Sequence, residues 1–142
     1  MKLIKADSKD INDIVDIEES CGYHKDAVKL DLKKLFINFF NSSRPYAYIL
    51  EDKGKSIGYF AFRIVGDNCE LDYPTITKKY QGKGFGKLLI NKIMLLCKSL
   101  RIKKIKLSAR VSNNRAIELY KSYGFENFNF NKNKLFMIKE LG

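Results

Sequence analysis

The sequence predicts one mixed α/β domain over residues 1–142, a mostly antiparallel central sheet of about seven strands flanked by about four helices. The predicted order is β-α-α-β-β-β-α-β-α-β-β. Three observations carry this. Helical apolar spacing gives way near residue 46 to runs of aromatic and β-branched residues. Short turn signals then join three successive strands, which makes them antiparallel neighbours. A strand, a long helix and another strand follow across residues 69–109, and that spacing suits a parallel crossover. At 142 residues the chain is long enough for one domain with a real core and too short for two.

Residues 2–5 read as a short first strand. Asp7 or Ser8 offers an N-cap and Asp10 an acidic first turn, ahead of Ile11, Ile14 and Val15 at helical spacing. A second helix is expected from about Asp26, with Val28, Leu32, Leu35, Phe36 and Phe39 along one face. The loop 41–45, ending in Pro45, closes it. Residues 46–51 and 56–65 read as strands joined through Asp52-Lys53-Gly54-Lys55. Gly66-Asp67-Asn68 turns the chain into a strand over 69–76. A long helix is expected over 84–100, with Leu89, Ile93, Leu96 and Leu100 on one face, then a buried strand over 102–109. A short helix over 113–123 and a closing strand pair, 125–130 and 134–139, complete the chain.

Composition excludes several classes. Hydrophobic residues at 45% and charged residues at 30% argue against disorder. No apolar run approaches the roughly 18 residues of a membrane span, and charge interrupts Met1-Lys2-Leu3-Ile4-Lys5 before a targeting segment could form. A cytoplasmic location and no membrane partner are the expectation. Cys21, Cys69 and Cys97 lack C-x-x-C spacing and read as reduced core thiols. His24 is the single histidine, so neither a Ser-His-Asp triad nor a zinc site is expected. The formal charge of +11 suits nucleic acid, an acidic surface, a polyanionic cofactor or simply a lysine-rich composition. No nucleic-acid reader motif accompanies it.

The most informative residues are Gln81-Gly82-Lys83-Gly84-Phe85-Gly86-Lys87, between a strand and a long helix. Glycines there allow a sharp turn that aims successive N–H groups at an anion. The helix start adds roughly half a positive charge, and Lys83 and Lys87 add full ones. A phosphate is the natural guest. A Walker A loop fails, because Gln81 and Leu88 stand where its first glycine and final Ser/Thr belong. A dinucleotide fingerprint fails because Lys87 takes the place of its third glycine.

Gln81-x-x-Gly84-x-Gly86 resembles the Q/R-x-x-G-x-G/A loop with which GNAT-superfamily acetyltransferases hold the pyrophosphate of coenzyme A. Residues 110–125, from Arg110-Val-Ser-Asn113 through Ala116-Ile117-Glu-Leu119-Tyr120 to Gly124-Phe125, resemble a second stretch of that superfamily. The wording is most similar to the ribosomal-protein N-terminal alanine acetyltransferases. The resemblance implies the GNAT fold, acetyl-CoA as donor, no metal, and transfer to a primary amine, foremost a protein N-terminal α-amine. Lysine or small-molecule acceptors and a non-catalytic acyl-CoA-binding module are the alternatives. A ribosomal or other protein N-terminus is the implied partner, bound in a pocket within residues 20–45. The resemblance gives Gln81, Gly82, Lys83, Gly84, Phe85, Gly86 and Lys87 to the pyrophosphate. It gives the backbone near Thr75 and Ile76 to the pantetheine arm and the thioester oxygen, Asn113 to that arm, and Tyr120 to the thioester sulfur.

A tyrosine pKa near 10 against about 8.5 for a thiol makes complete proton transfer uphill by roughly 2 kcal/mol. Tyr120 is therefore expected to donate a hydrogen bond to the leaving thiolate, with the proton settling later. Glu70, fourteen residues before Gly84, has the spacing of the base in histone-type members and is the expected base, acting through water. In the N-terminal alanine enzymes the glutamate lies in L-E-V-R; here Leu107-Ser108-Ala109-Arg110 puts Ser108 in that place. Pro74 has no N–H to offer a thioester oxygen and fits only if its strand bulges and splays.

Overall fold

The computed structural model describes residues 1–21 and 29–142. Among these residues four α-helices, α1 (Ile11–Ser20), α2 (Lys29–Phe40), α3 (Phe85–Ser99) and α4 (Asn114–Ser122), pack on one sheet. Its seven strands are β1 (Lys2–Lys5), β2 (Pro45–Asp52), β3 (Lys55–Val65), β4 (Asn68–Ile76), β5 (Lys104–Arg110), β6 (Glu126–Asn131) and β7 (Lys134–Glu140). The spatial order is β1-β2-β3-β4-β5-β7-β6, with β4–β5 the parallel pair and the other pairs antiparallel. The expected start of α2 near Asp26, and His24, lie outside the described residues.

Local chemistry sets the boundaries. Asp7 accepts from the Lys9 amide and its own amide donates to Asp10 Oδ2, both at 3.0 Å, which starts the turn into α1. Lys53 and Gly54 have φ of 52° and 79°, the two left-handed residues that a tight β2–β3 hairpin requires. Residues 102–109 were expected as one strand, but β5 begins at Lys104. Before it, the Ile102 amide donates to Cys97 O and closes the end of α3.

The sheet is covered on both faces. Tyr59 and Ala61 of β3 pack with Ile14, Val15, Ile17 and Phe36 under α1 and α2. Phe60 and Phe62 face the other way, against the core that includes Leu89, Ile93 and Cys97 of α3 and Ile117 and Tyr120 of α4. Tyr46 and Tyr48 stack on these two phenylalanines, at 5.1 and 5.3 Å. All three cysteines are buried, as expected of core fillers.

Two irregularities of β4 shape the site. Tyr59 pairs with Thr75 and Ala61 with Asp72, so Tyr73 and Pro74 together oppose Phe60 as a β-bulge. Pro74, which cannot donate to a ladder, is accommodated there. Beyond this, β4 and β5 pair only over residues 68–71 and 104–107. Past Leu71 and Leu107 the two strands part, among the described residues, and the sheet forks.

Gly58 of β3 is pressed against the end of β4. A Cβ there would stand 2.6 Å from Ile76 Cδ1 and 2.9 Å from the Thr75 carbonyl oxygen. Backbone cannot yield as a side-chain tip can, so Gly58→Ala should destabilise the protein by about 1–3 kcal/mol. Urea denaturation checks this; a wild-type midpoint would show that the two strands are not closely held.

Candidate functional site

A cleft of about 560 Å³ lies between the end of β4, the glycine loop and α4. Pro74, Thr75 and Ile76 wall one side, the glycine loop the floor, and α4 the opposite side through Asn113, Ala116 and Tyr120. The loop adopts the backbone its sequence demands. Gly82 and Gly84 have φ of 77° and 90°, and Gly84 caps α3. The first helical bond runs from the Leu88 amide to Gly84 O at 3.2 Å. The amides of Phe85, Gly86 and Lys87 precede it and have no acceptor within the helix. A Cβ at Gly86 would make only an ordinary contact, 3.5 Å from Leu119 Cδ2 of α4.

The cleft therefore combines a helix start, left-handed glycines and the cations Lys87 and Arg115 along its lining. That donor set fits a phosphate group. Arg115 escaped the sequence reading, although it stands two residues after Asn113. Its Nη1 lies 3.5 Å from where a Gly82 Cβ would be, so it overhangs the loop.

The structure brings Thr75, Ile76, Gln81, Gly82, Gly84, Gly86, Lys87, Asn113 and Tyr120 into one cleft. Lys83 and Phe85 turn to Tyr80 instead, the ammonium 5.6 Å from its ring and the phenyl ring 6.0 Å away. Only their backbone belongs with the loop. Asn113 caps α4, its side-chain oxygen accepting from the Ala116 amide at 3.3 Å. Tyr120 is 1% exposed and its ring lies 5.8 Å from that of Phe125. The Gln81 side chain donates to Ile76 O at 2.8 Å and to Cys21 O at 2.9 Å, joining the loop to β4 and to the end of α1.

Glu70 lies outside this lining. It sits in the paired part of β4, in register with Arg63 and Lys106, and is exposed. Two other carboxylates face the same side of the sheet. Glu18, on α1 and 5% exposed, accepts from the Tyr59 hydroxyl and from Thr75 Oγ1, the latter at 3.2 Å. Asp72 is the first β4 residue past the fork. It is exposed as a residue, yet burial of its carboxyl pushes the pKa above the usual 3.8. Arg63 and Lys134 oppose that shift, and Glu18 and Glu70 reinforce it. Neither Glu18 nor Asp72 was picked out from the sequence. Glu18 follows the apolar Ile17 in a helix rich in acids, and Asp72 carries no motif.

Among the described residues no helix is long and apolar enough to cross a membrane. The chain is 33% identical over 91 residues to a putative [ribosomal protein bS18]-alanine N-acetyltransferase of Bacillus subtilis (strain 168), covering 63% of this chain and 60% of that one. It is 39% identical over 75 residues to a spermine/spermidine N(1)-acetyltransferase of the same strain, covering 50% and 49%. The matched region thus spans 60% and 49% of these relatives' own lengths. In three dimensions the chain resembles the ribosomal-protein-S18-alanine N-acetyltransferase from Escherichia coli, with a TM-score of 0.87, 20% identity, and coverage of 99% and 93%. Residues 11–125 match the acetyltransferase (GNAT) family as a whole. With that match spanning most of the sequence, and with the forked sheet and glycine loop in place, the chain belongs to the GNAT acetyltransferase family.

Proposed function

We propose that the protein transfers an acetyl group from acetyl-CoA to a primary amine, foremost the α-amine of a protein N-terminus, in the cytoplasm. The observation that carries this is the cleft beside the unpaired end of β4, which gathers the phosphate-fitting loop, Asn113 and Tyr120 in one lining. When bound, acetyl-CoA supplies the activated acyl carbon. The loop amides and Lys87 hold its pyrophosphate, and Arg115 adds a cation beside Gly82. Asn113 and the β4 edge near Ile76 hold its arm in the fork, and a Thr75 or Ile76 amide polarises the thioester oxygen in place of Pro74. Tyr120 donates to the sulfur as it leaves.

The α-amine is favoured by the bS18-alanine relative and by acid–base chemistry. An α-amine of pKa near 8 is partly neutral at pH 7, whereas a lysine near 10.4 is almost wholly charged. The spermine/spermidine relative, at 39% identity, supports a small polyamine as the second reading. Measuring free coenzyme A released with three acceptors separates them: a peptide with a free α-amine, an N-blocked lysine peptide, and spermidine. The α-amine peptide should have the highest kcat/KM. Spermidine alone as acceptor would overturn the N-terminal reading. No release with any amine would favour a binding module.

A further inference from the structure

The incoming ammonium must lose a proton before it can attack, and Tyr120 cannot take it while serving as the acid. We propose that Asp72 is the proton acceptor for the incoming amine. This rests on the acetyl-transfer reading above and adds the residue that makes the acceptor a nucleophile.

Position is the first argument. The last β4–β5 pair is Leu71 with Leu107, so Asp72 is the first β4 residue at the opening through the sheet. Glu70 lies about 7 Å back along the strand. There the sheet is continuous, and Glu70 stands between the register partners Arg63 and Lys106.

Orientation is the second. Directly opposed residues of an antiparallel pair point to the same face. Asp72 opposes Ala61, which packs under α1 and α2. The donor cleft is walled instead by the glycine loop and α4. A carboxylate on the α1 side of the fork meets an amine that approaches the acyl carbon from the side opposite the donor.

Chemistry is the third. By the Glu70–Lys106 register, Ser108 is the β5 residue of the same face just past the fork, and a serine hydroxyl is no base. Asp72 is the carboxylate across that gap. Burial raises its proton affinity, and Glu18 on α1 and Glu70 on β4 raise it further against Arg63 on β3 and Lys134 on β7. A stronger base results than an ordinary aspartate. Glu18, bonded to Tyr59 and Thr75, holds the β4 bulge in place beside it.

The step balances. The ammonium gives one proton to Asp72, directly or through one water, and Asp72 later returns it to solvent. The freed nitrogen lone pair forms the C–N bond to the thioester carbon. The C–S bond breaks as the tetrahedral adduct collapses, and its electron pair leaves on sulfur. As the amide forms, the second proton lost by nitrogen restores the Tyr120 hydroxyl, whose own proton settles on the thiolate, giving amide and free thiol.

The test compares wild type, Asp72→Asn and Glu70→Gln for coenzyme A release with one amine between pH 6 and 9. Acetyl-CoA affinity by calorimetry and thermal melting accompany it. Asp72→Asn should lower kcat about 10²-fold at neutral pH. The loss should shrink as pH rises and the amine becomes neutral unaided, with acetyl-CoA affinity unchanged. The Glu70→Gln loss should be smaller. Melting separates a lost base from a lost fold. Because folding raises the Asp72 pKa, wild type gains stability as pH falls through that raised value toward 3.8. Above it the carboxylate costs stability, so Asp72→Asn should melt no lower than wild type at pH 7. An active wild type with Asp72→Asn within about twofold of it, or a larger loss in Glu70→Gln, overturns the assignment alone. A wild type that releases no coenzyme A with any amine overturns acetyl transfer and Asp72 together.

Discussion

Tyr120→Phe should lower turnover about 10²–10⁴-fold while leaving the fold and acetyl-CoA affinity in place. The ring is 1% exposed and packs on Phe125, so phenylalanine keeps the apolar contacts. Only the hydroxyl goes, and with it the hydrogen-bond donor proposed for the leaving sulfur. Thiolate is already a fair leaving group, with a thiol pKa of about 8.5. The loss should therefore fall mainly on kcat and be smallest at high pH, where leaving without a proton costs least. Steady-state release of coenzyme A, with calorimetry on the same variant, checks both halves. A wild-type rate would return Tyr120 to a packing role.

Gly86→Glu should abolish acetyl-CoA binding. The residue lies in the first turn of α3, where unbonded amides and the helix dipole favour an anion. A carboxylate there takes up the donor groups and repels the pyrophosphate, and its bulk fills the cleft beside Leu119. Gly86→Ala is the matched control. Its added Cβ would make an ordinary contact at 3.5 Å from Leu119 Cδ2, so folding should survive. Calorimetric titration with acetyl-CoA should give no heat for the glutamate variant and measurable binding for alanine. Equal affinities would remove the loop from the cofactor site.

Local chemistry made much of this legible in the sequence. Lys53-Gly54 and Gly66 announced two hairpins, and the change of apolar period placed the helices and strands. Pro74 forecast the bulge because a missing N–H cannot be hidden in a regular ladder. The loop from Gln81 to Lys87 was readable because left-handed backbone and a helix start leave a glycine signature. What stayed hidden depends on contacts distant in sequence. Glu18 becomes a site residue only when α1 lies over Tyr59 and Thr75, forty-one and fifty-seven positions away. Asp72 gains meaning from where the β4–β5 register ends, which no local pattern encodes. Gln81 was given to the cofactor by its motif, while its amide is engaged with two carbonyls.

Those two bonds have a thermodynamic consequence. Gln81 opens the anion loop, and its one carboxamide fastens both the end of α1 at Cys21 and the end of β4 at Ile76. Free energy spent ordering the loop is thereby shared with the helix that carries Glu18. Linkage makes such sharing reciprocal: whatever donor binding contributes to holding α1, an acceptor that holds α1 returns to the donor as affinity. An acceptor that contacts α1 should then bind with positive cooperativity toward the donor, and calorimetric titration of each in the presence of the other should show Gln81→Ala uncoupling them.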